Sequence, residues 1–324
     1  MSLARRTEIE IGLNAVIVAV DEGSPLVLAI NADDAGVPSL PFGPFDPIRH
    51  RTFEIGLRNW VEEQTSLSLG YVEQLYTFGD RGRHAKEGDH GHVVSVGYLA
   101  LTRRNSDADR ALRNAGAKWR RWYDFFPWED WREGRPALLE NGVLPALENW
   151  VSADPTGAPP GRFLGRKDRF RQAFADDSGW DEERVLERYE LLYEAGLALE
   201  GKRDGRAVIE GMARPIGAAM RHDHRRILAT AITRLRSKLK YRPVVFELMQ
   251  SEFTLTELQQ TVEAIAGRHL YKQNFRRLVE AARLVEPTGG SNTSTGGRPA
   301  ALFQFRREVL KERPGAGLRF GHRG

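Results

Sequence analysis

The sequence predicts an α+β fold in three parts. A mixed α/β/α sandwich occupies residues 1–152, a helical linker and dimerisation region 153–240, and three helices closed by a β-hairpin 241–324. Three observations carry this reading. Short β-branched and aromatic runs alternate with helical stripes over the first 150 residues. A Pro/Gly-rich break follows them, and helical periodicity dominates from there. At 324 residues the chain is too long for one average domain, so two or three units are expected.

The elements follow in order. IEIGLNAVIVAV (9–20) alternates and then runs apolar, which reads as a buried strand. PLVLAI (25–30) follows the turn-like Asp21-Glu22-Gly23-Ser24, so the two form a hairpin. SLPFGPFDP (39–47) reads as loop. Phe53, Leu57, Trp60 and Val61 make a helical stripe within 51–64. YVEQLYTF (71–78) and HVVSVGYLAL (92–101) read as strands around the polar loop GDRGRHAKEGDHG (79–91). WRRWYDFFPW (119–128) reads as a further aromatic strand and 135–151 as a helix. SADPTGAPPG (152–161) marks a linker. Helices are expected over 180–199, opened by Asp181, Glu182 and Glu183 at the positive end of the helix dipole, and over 220–239.

PVVFELM (243–249) starts a helix with proline in its first turn. TLTELQQTVEAIAG (254–267) is a second helix, capped by Thr254 or Thr256 and ended by Gly267. LYKQNFRRLVEAARL (270–284) is a third, and 285–306 reads strand, glycine-rich loop, strand. Three helices followed by a hairpin is the order of a winged helix.

Composition narrows the function. Cysteine is absent, which excludes disulfides, thiolate zinc sites and cysteine nucleophiles and suits the cytoplasm. No apolar run approaches the ~20 residues that span a bilayer, and the first residues do not read as a signal peptide. The charge is split. Residues 1–200 hold 24 Lys and Arg against 33 Asp and Glu, a sum of −9. Residues 201–324 hold 24 against 11, a sum of +13. A basic C-terminal half points to a polyanionic partner.

In a helix-turn-helix the third helix enters the major groove with its N-terminal half on base edges. Here that half offers Tyr271, Lys272, Gln273, Asn274, Arg276 and Arg277. Lys and Arg suit guanine; Gln and Asn suit adenine. Phe275, Leu278, Val279 and Ala282 fall on the opposite, core-facing side. Arg298 sits at the hairpin tip, and Thr254 and Thr256 stand where helix amides meet a phosphate.

LRNWVEEQTSL (57–67) resembles the end of the Nudix box, G-x5-E-x7-R-E-U-x-E-E-x-G-U, whose three glutamates share one helix face and bind divalent metal. Matching Thr65-Ser66-Leu67 to the end of the box puts Trp60, Glu63 and Gln64 at the glutamate positions, Asn59 at the arginine and Arg51 at the early glutamate. This register keeps Leu57 and Val61 on the buried face. Matching Arg58 to the arginine instead gives Asn59, Glu62 and Glu63, with His50 at the early glutamate. In both registers the first carboxylate of the cluster is gone. Two wider segments, 70–101 and 234–279 joined to 296–305, closely resemble Nudix-related transcriptional regulators of NAD metabolism, in particular the proteobacterial subgroup with an eroded box.

That resemblance implies a homodimeric repressor of NAD biosynthesis genes, in which a catalytically inactive Nudix-like domain senses ADP-ribose, NAD or ATP and a winged helix binds double-stranded operator DNA. No cofactor and no metal are expected. The candidate ligand residues are Phe45 and Phe78 to stack on a base, Arg81 and Arg83 to grip phosphates, and Asp80 and Glu63 beside them. His84, His90 and His92 lack metal-ligand spacing, and His222 and His224 read as surface residues. The alternatives are an active Nudix hydrolase of ADP-ribose or a related nucleotide, and a nucleotide-binding adaptor without DNA.

Overall fold

The computed structural model describes residues 9–31, 36–80, 92–153, 164–174, 179–205, 216–292, 299–309 and 318. Strands β1 (Ile9–Asp21), β2 (Ser24–Asn31), β3 (Pro38–Ser39) and β4 (Phe42–Pro44) precede helix α1 (Phe53–Thr65). Strands β5 (Tyr71–Phe78) and β6 (His92–Leu101), helix α2 (Asp109–Asn114) and strand β7 (Ala117–Arg121) complete the sheet region. The main path runs β3-β2-β1-β6-β5, with β4 on β1 and β7 on β2. β1 and β6 are parallel, from Ile9 opposite His92 to Val18 opposite Leu101. The expected β1–β2 hairpin forms, with Asp21 opposite Ser24.

Period-two alternation gives the sheet two apolar faces. Leu13, Ala15 and Ile17 of β1 join Val96, Tyr98 and Ala100 of β6 under Leu57 and Val61 of α1. Val16 and Val18 join Leu99 and Leu101 on the other face. On that face α7 (His224–Tyr241) packs against β1, β5 and β6, with α5 (Val185–Glu194) on α7, α4 (Arg166–Phe174) and α6 (Leu199–Arg203) on α5, and α3 (Leu144–Ser152) on α4. Ile227, Leu228, Ala231, Ile232 and Leu235 of α7 are buried. The helix comes close enough to β6 that a Cβ on Gly97 would lie 2.9 Å from Ile227 Cγ2. The segment read as a linker therefore supplies the second helical layer of the α/β/α sandwich.

Other local readings are corrected. The aromatic run 119–128 is strand only to Arg121. Trp122–Asp124 and Pro127–Glu129 are 3-10 turns, and Trp122, Phe125, Phe126 and Trp128 are all fully buried. The helix read over 180–199 is shorter. Asp181, Glu182 and Glu183 stand in the turn before α5 as ion-pair partners of Arg184, Lys240 and Arg268. His224 is buried, and its Nδ1 accepts the Leu40 amide at 3.0 Å. Residues 243–249 yield one 3-10 turn, Val244–Glu247.

Two buried polar arrangements join the layers. Glu129 accepts from Arg188 Nε at 2.6 Å and Nη2 at 3.0 Å, and from Arg236 Nη1 at 2.7 Å. All three side chains are essentially inaccessible to water. The Arg188 guanidinium also lies 3.8 Å from the Trp180 ring centroid. At the edge of the sheet, Glu73 of β5 pairs with Lys238 at 2.5 Å and Arg234 at 3.0 Å, both on α7. Burial alone would raise the Glu73 carboxyl. Hydrogen bonds from Lys238 and Tyr71, and the charges of Lys238 and Arg234, bring it below the ordinary carboxylate value.

Glu129→Ala strands two buried guanidinium groups and is expected to cost about 3–5 kcal/mol of unfolding free energy, measured by urea denaturation. Glu73→Gln tests a separate linkage. A depressed carboxyl stabilises the fold above its unfolded value, and that gain disappears as pH falls through the folded value. The stability difference between the parent and Glu73→Gln should therefore shrink as pH drops from 7 towards the acid limb. A constant difference across that range would show that the Glu73 charge contributes nothing.

Candidate DNA interface and ligand site

The C-terminal unit comprises α8 (Leu255–Ala266), α9 (Lys272–Ala282), β8 (Val285–Asn292) and β9 (Ala300–Phe305). Thr254 and Glu257 form a reciprocal capping box at the start of α8. Thr254 Oγ1 accepts the Glu257 amide at 3.1 Å, and Glu257 Oε2 accepts the Thr254 amide at 2.6 Å. Gly267 ends α8 at φ 74°, the left-handed conformation glycine adopts without strain. The turn into α9 is built on Glu263, whose carboxylate accepts from Gln259 Nε2 and the Leu270 amide, each at 2.8 Å, and faces His269. Phe253 and Phe303 exchange backbone hydrogen bonds of 2.9 and 2.8 Å, adding a rung beside the β8–β9 hairpin. Phe246 stacks on Phe305 at 4.3 Å, which seats the hairpin on the 3-10 turn.

Phe275 and Val279 of α9 are buried, and Leu278 and Ala282 pack against the same core. The opposite face presents Tyr271, Lys272, Gln273, Asn274, Arg276 and Arg277, all exposed. Arg277 Nη2 donates to Asn274 Oδ1 at 3.3 Å, one turn earlier. Thr256 is exposed at the start of α8, whereas Thr254 is buried with its hydroxyl committed to the cap. A phosphate meeting this terminus has Thr256 before it. Arg298 lies outside the described residues. Arg307 is exposed just after β9, and Arg306 Nη1 donates to the Arg283 carbonyl at 3.3 Å. These arginines went unsingled in the sequence, although their basic run beside the hairpin was visible there.

The candidate ligand residues are divided. Phe45 is half-buried, edge-on to Phe53 at 4.6 Å. Glu63 is exposed on α1. Asp80, at the root of the loop after β5, pairs with Arg226 of α7. Phe78 is a correction: it is 3% exposed, packed in the core beneath α7, and has no free ring face to offer a base. Arg81 and Arg83, with His84 and His90, lie outside the described residues.

Helix α1 is fastened to β4 by two side chains. Gln64 Oε1 accepts the Phe42 amide at 3.1 Å, and its Nε2 donates to the Phe42 carbonyl at 2.7 Å. Trp60 Nε1 donates to Pro44 O at 2.9 Å, and its ring lies so close over Gly43 that a Cβ there would overlap it. Trp60 and Gln64 thus clamp the backbone of β4 to α1. Arg58 donates to Glu54 and to the carbonyls of Leu69 and Gly70, bracing the end of the same helix.

With this geometry in view, comparison with known proteins decides the C-terminal unit. Residues 245–305 match the NrtR DNA-binding winged helix domain. Over those residues the unit is similar to the NrtR winged helix. The chain is also 42% identical over 83 residues to the ADPR responsive transcriptional repressor NtrR of Acinetobacter baylyi, a match covering 26% of this chain and 33% of the relative. The chain thus spans about a third of the curated relative it matches. The whole fold is that of Shewanella oneidensis NrtR in complex with a 27mer DNA, with a TM-score of 0.55 and 20% identity over 95% of this chain and 98% of that one. A MutT/nudix family protein from Enterococcus faecalis aligns with a TM-score of 0.51 and 16% identity over 94% and 90% of the two chains. The α+β fold, a sandwich of the kind seen in those structures followed by a winged-helix unit, is thereby shown.

Gln64→Glu removes the donor to the Phe42 carbonyl and sets a carboxylate against it. The expected loss is about 1–3 kcal/mol of stability, read by thermal or urea unfolding. A Gln64→Glu protein as stable as its parent would mean that the amide clamp is not a support of the α1–β4 contact.

Proposed function

We propose that this chain is a DNA-binding transcriptional repressor of NAD biosynthesis genes whose Nudix-like half senses an NAD-related nucleotide. The observation that carries the reading is the α9 face: Lys272, Gln273, Asn274, Arg276 and Arg277 stand exposed together on a helix whose other side is anchored by Phe275 and Val279. Cationic side chains of that kind meet guanine edges and phosphates, and the amides meet adenine. The C-terminal charge of +13 supplies the sequence-independent part of the attraction. Family membership of the winged helix and the likeness to an ADPR-responsive repressor support the reading.

Among ADP-ribose, NAD and ATP, the first is the effector proposed here, because the curated relative is described as ADPR-responsive. The sandwich binds rather than hydrolyses it. Trp60 and Gln64 occupy box positions that a two-metal pyrophosphatase fills with carboxylates, and both are spent on the backbone of β4. The protein acts in the cytoplasm as a homodimer, since a two-fold operator needs two reading heads. Among the described residues no helix is long and apolar enough to cross a membrane.

Arg276→Ala and Lys272→Ala should each weaken operator binding by about 1–3 kcal/mol in a gel-shift titration, while Glu62→Gln on α1 leaves effector-free binding unchanged. Equal losses in all three would point to misfolding, because Glu62→Gln raises the net charge and bulk charge alone would strengthen binding, and they would remove the recognition-helix assignment. ADP-ribose should change operator affinity by about 5–150-fold, with operator DNA changing ADP-ribose affinity by the same factor. Incubation of ADP-ribose with magnesium or manganese should release no AMP above background. Turnover abolished by Glu63→Gln would instead establish a hydrolase.

A further inference from the structure

The turn between α8 and α9 is held by a buried carboxylate. Glu263, in the last turn of α8, is 8% exposed. Its Oε1 accepts Gln259 Nε2 and the Leu270 amide, each at 2.8 Å. Gln259 Nε2 also donates to the Leu270 carbonyl at 2.8 Å, so both polar groups of that backbone unit are fixed. The second oxygen, Oε2, meets His269 Nδ1 at 2.9 Å. An ionised carboxylate only accepts, so Nδ1 carries the hydrogen of that bond. The tautomer is thereby set, and Nε2 lies at the far edge of the ring. The His269 side chain is 62% exposed, which leaves that edge in solvent.

His269 stands just ahead of Lys272, the first residue of α9. The N-terminal residues of a recognition helix meet base edges, and the backbone phosphates line the groove beside them. A side chain immediately before that helix is therefore placed at the edge of the groove. Its neighbour Arg268 turns the other way, with Nη2 on Glu182 at 3.3 Å. A neutral His269 offers only a lone pair at Nε2, which a phosphate oxygen repels. A protonated ring offers a hydrogen and a positive charge there, while Nδ1 keeps its bond to Glu263. The ring needs no reorientation between these two states.

We propose that His269 is a proton-dependent phosphate donor of the DNA interface, positioned by Glu263. The inference rests on the DNA-binding reading and adds a contact outside the α9 face. The imidazolium bridges two anions, the buried carboxylate and a backbone phosphate, so the contact carries no sequence information. A phosphate favours the charged ring, and by linkage DNA binding takes up a proton. Affinity therefore rises as pH falls through the range in which histidine changes charge. The charged neighbours of the ring are Glu263, reaching it from α8, Arg268 with its partner Glu182, and Lys272 at the start of α9. Of these side-chain types, histidine is the one that changes charge near neutrality.

His269→Asn separates this role from a purely structural one. The Asn amide keeps a donor where Nδ1 stands and has nothing at the place of Nε2, so the bond to Glu263 is retained. The measurement is the affinity of the full-length protein for a random-sequence duplex, followed against salt at about pH 6 and at about pH 8. One phosphate contact contributes about one to the slope of log affinity against log salt. At the lower pH the slope of the parent should exceed that of His269→Asn by about one, and at the higher pH the two should agree. Equal slopes at the lower pH overturn the proposal. A gap that persists unchanged at the higher pH overturns it as well, because the contact would not depend on the proton. His269→Lys is the second variant and is charged at both pH values. Its slope should not change with pH, and a pH dependence as large as that of the parent overturns the proposal. If the parent binds the duplex at neither pH, the DNA-binding reading itself falls, and this inference with it.

Discussion

One carboxylate shared by two buried guanidinium groups organises the molecule. Glu129 holds Arg188 of α5 and Arg236 of α7, so three parts of the chain distant in sequence meet at one charge. Taking these groups out of water is costly, and the arrangement is tolerable only because the surplus donors are used. Arg188 donates further to the carbonyls of Ala173 and Asp181, and Arg236 to those of Glu182 and Ile265. Because the last carbonyl lies in α8, the placement of the winged helix depends on the same buried charge. A second buried arginine repeats the device nearby. Arg225 donates to the carbonyls of Phe125 and Ile216 and to Glu200, closing the helical layer over the aromatic segment.

The α1–β4 contact is made by side chains that need no cation. A cluster of three glutamates repels itself and needs a cation. Trp60 and Gln64 need only backbone partners, which β4 provides. An amide can donate and accept at once, and Gln64 does both at Phe42; a carboxylate could only accept. The Trp60 ring fills the space that the missing side chain of Gly43 leaves open. The opposite side of the helix buries Leu57 and Val61 against the sheet.

Most of the architecture was legible in the sequence because it rests on local periodicity. The β1–β2 hairpin, α1, β5, β6 and the order of the C-terminal unit follow from alternation, from the stripe Leu57 and Val61, and from the Thr254 and Gly267 boundaries. The exposed face of α9 was likewise readable, since Phe275 and Val279 fix which residues point outward. Phe78 was misread for a physical reason. An aromatic residue at a strand end beside a charged loop looks available for stacking, and only the position of α7 shows that it is covered. His224 was misread likewise, since its acceptor role needs the amide of Leu40, far away in the sequence.

By itself, then, the sequence determined what depends on neighbours along the chain: the strands, the helix caps and the split of charge between the halves. Tertiary structure decided what depends on residues far apart in sequence. That α7 is a layer of the sandwich rather than a linker follows from its packing on β6 at Gly97. That Trp60 and Gln64 are clamps follows from where β4 lies. That the end of α8 is capped by Tyr123 and Arg236 follows from a hydrogen-bonding demand, because a buried carbonyl must find a donor wherever the fold brings one. Such a demand has no period and no fixed spacing, so no pattern along the chain could have announced it.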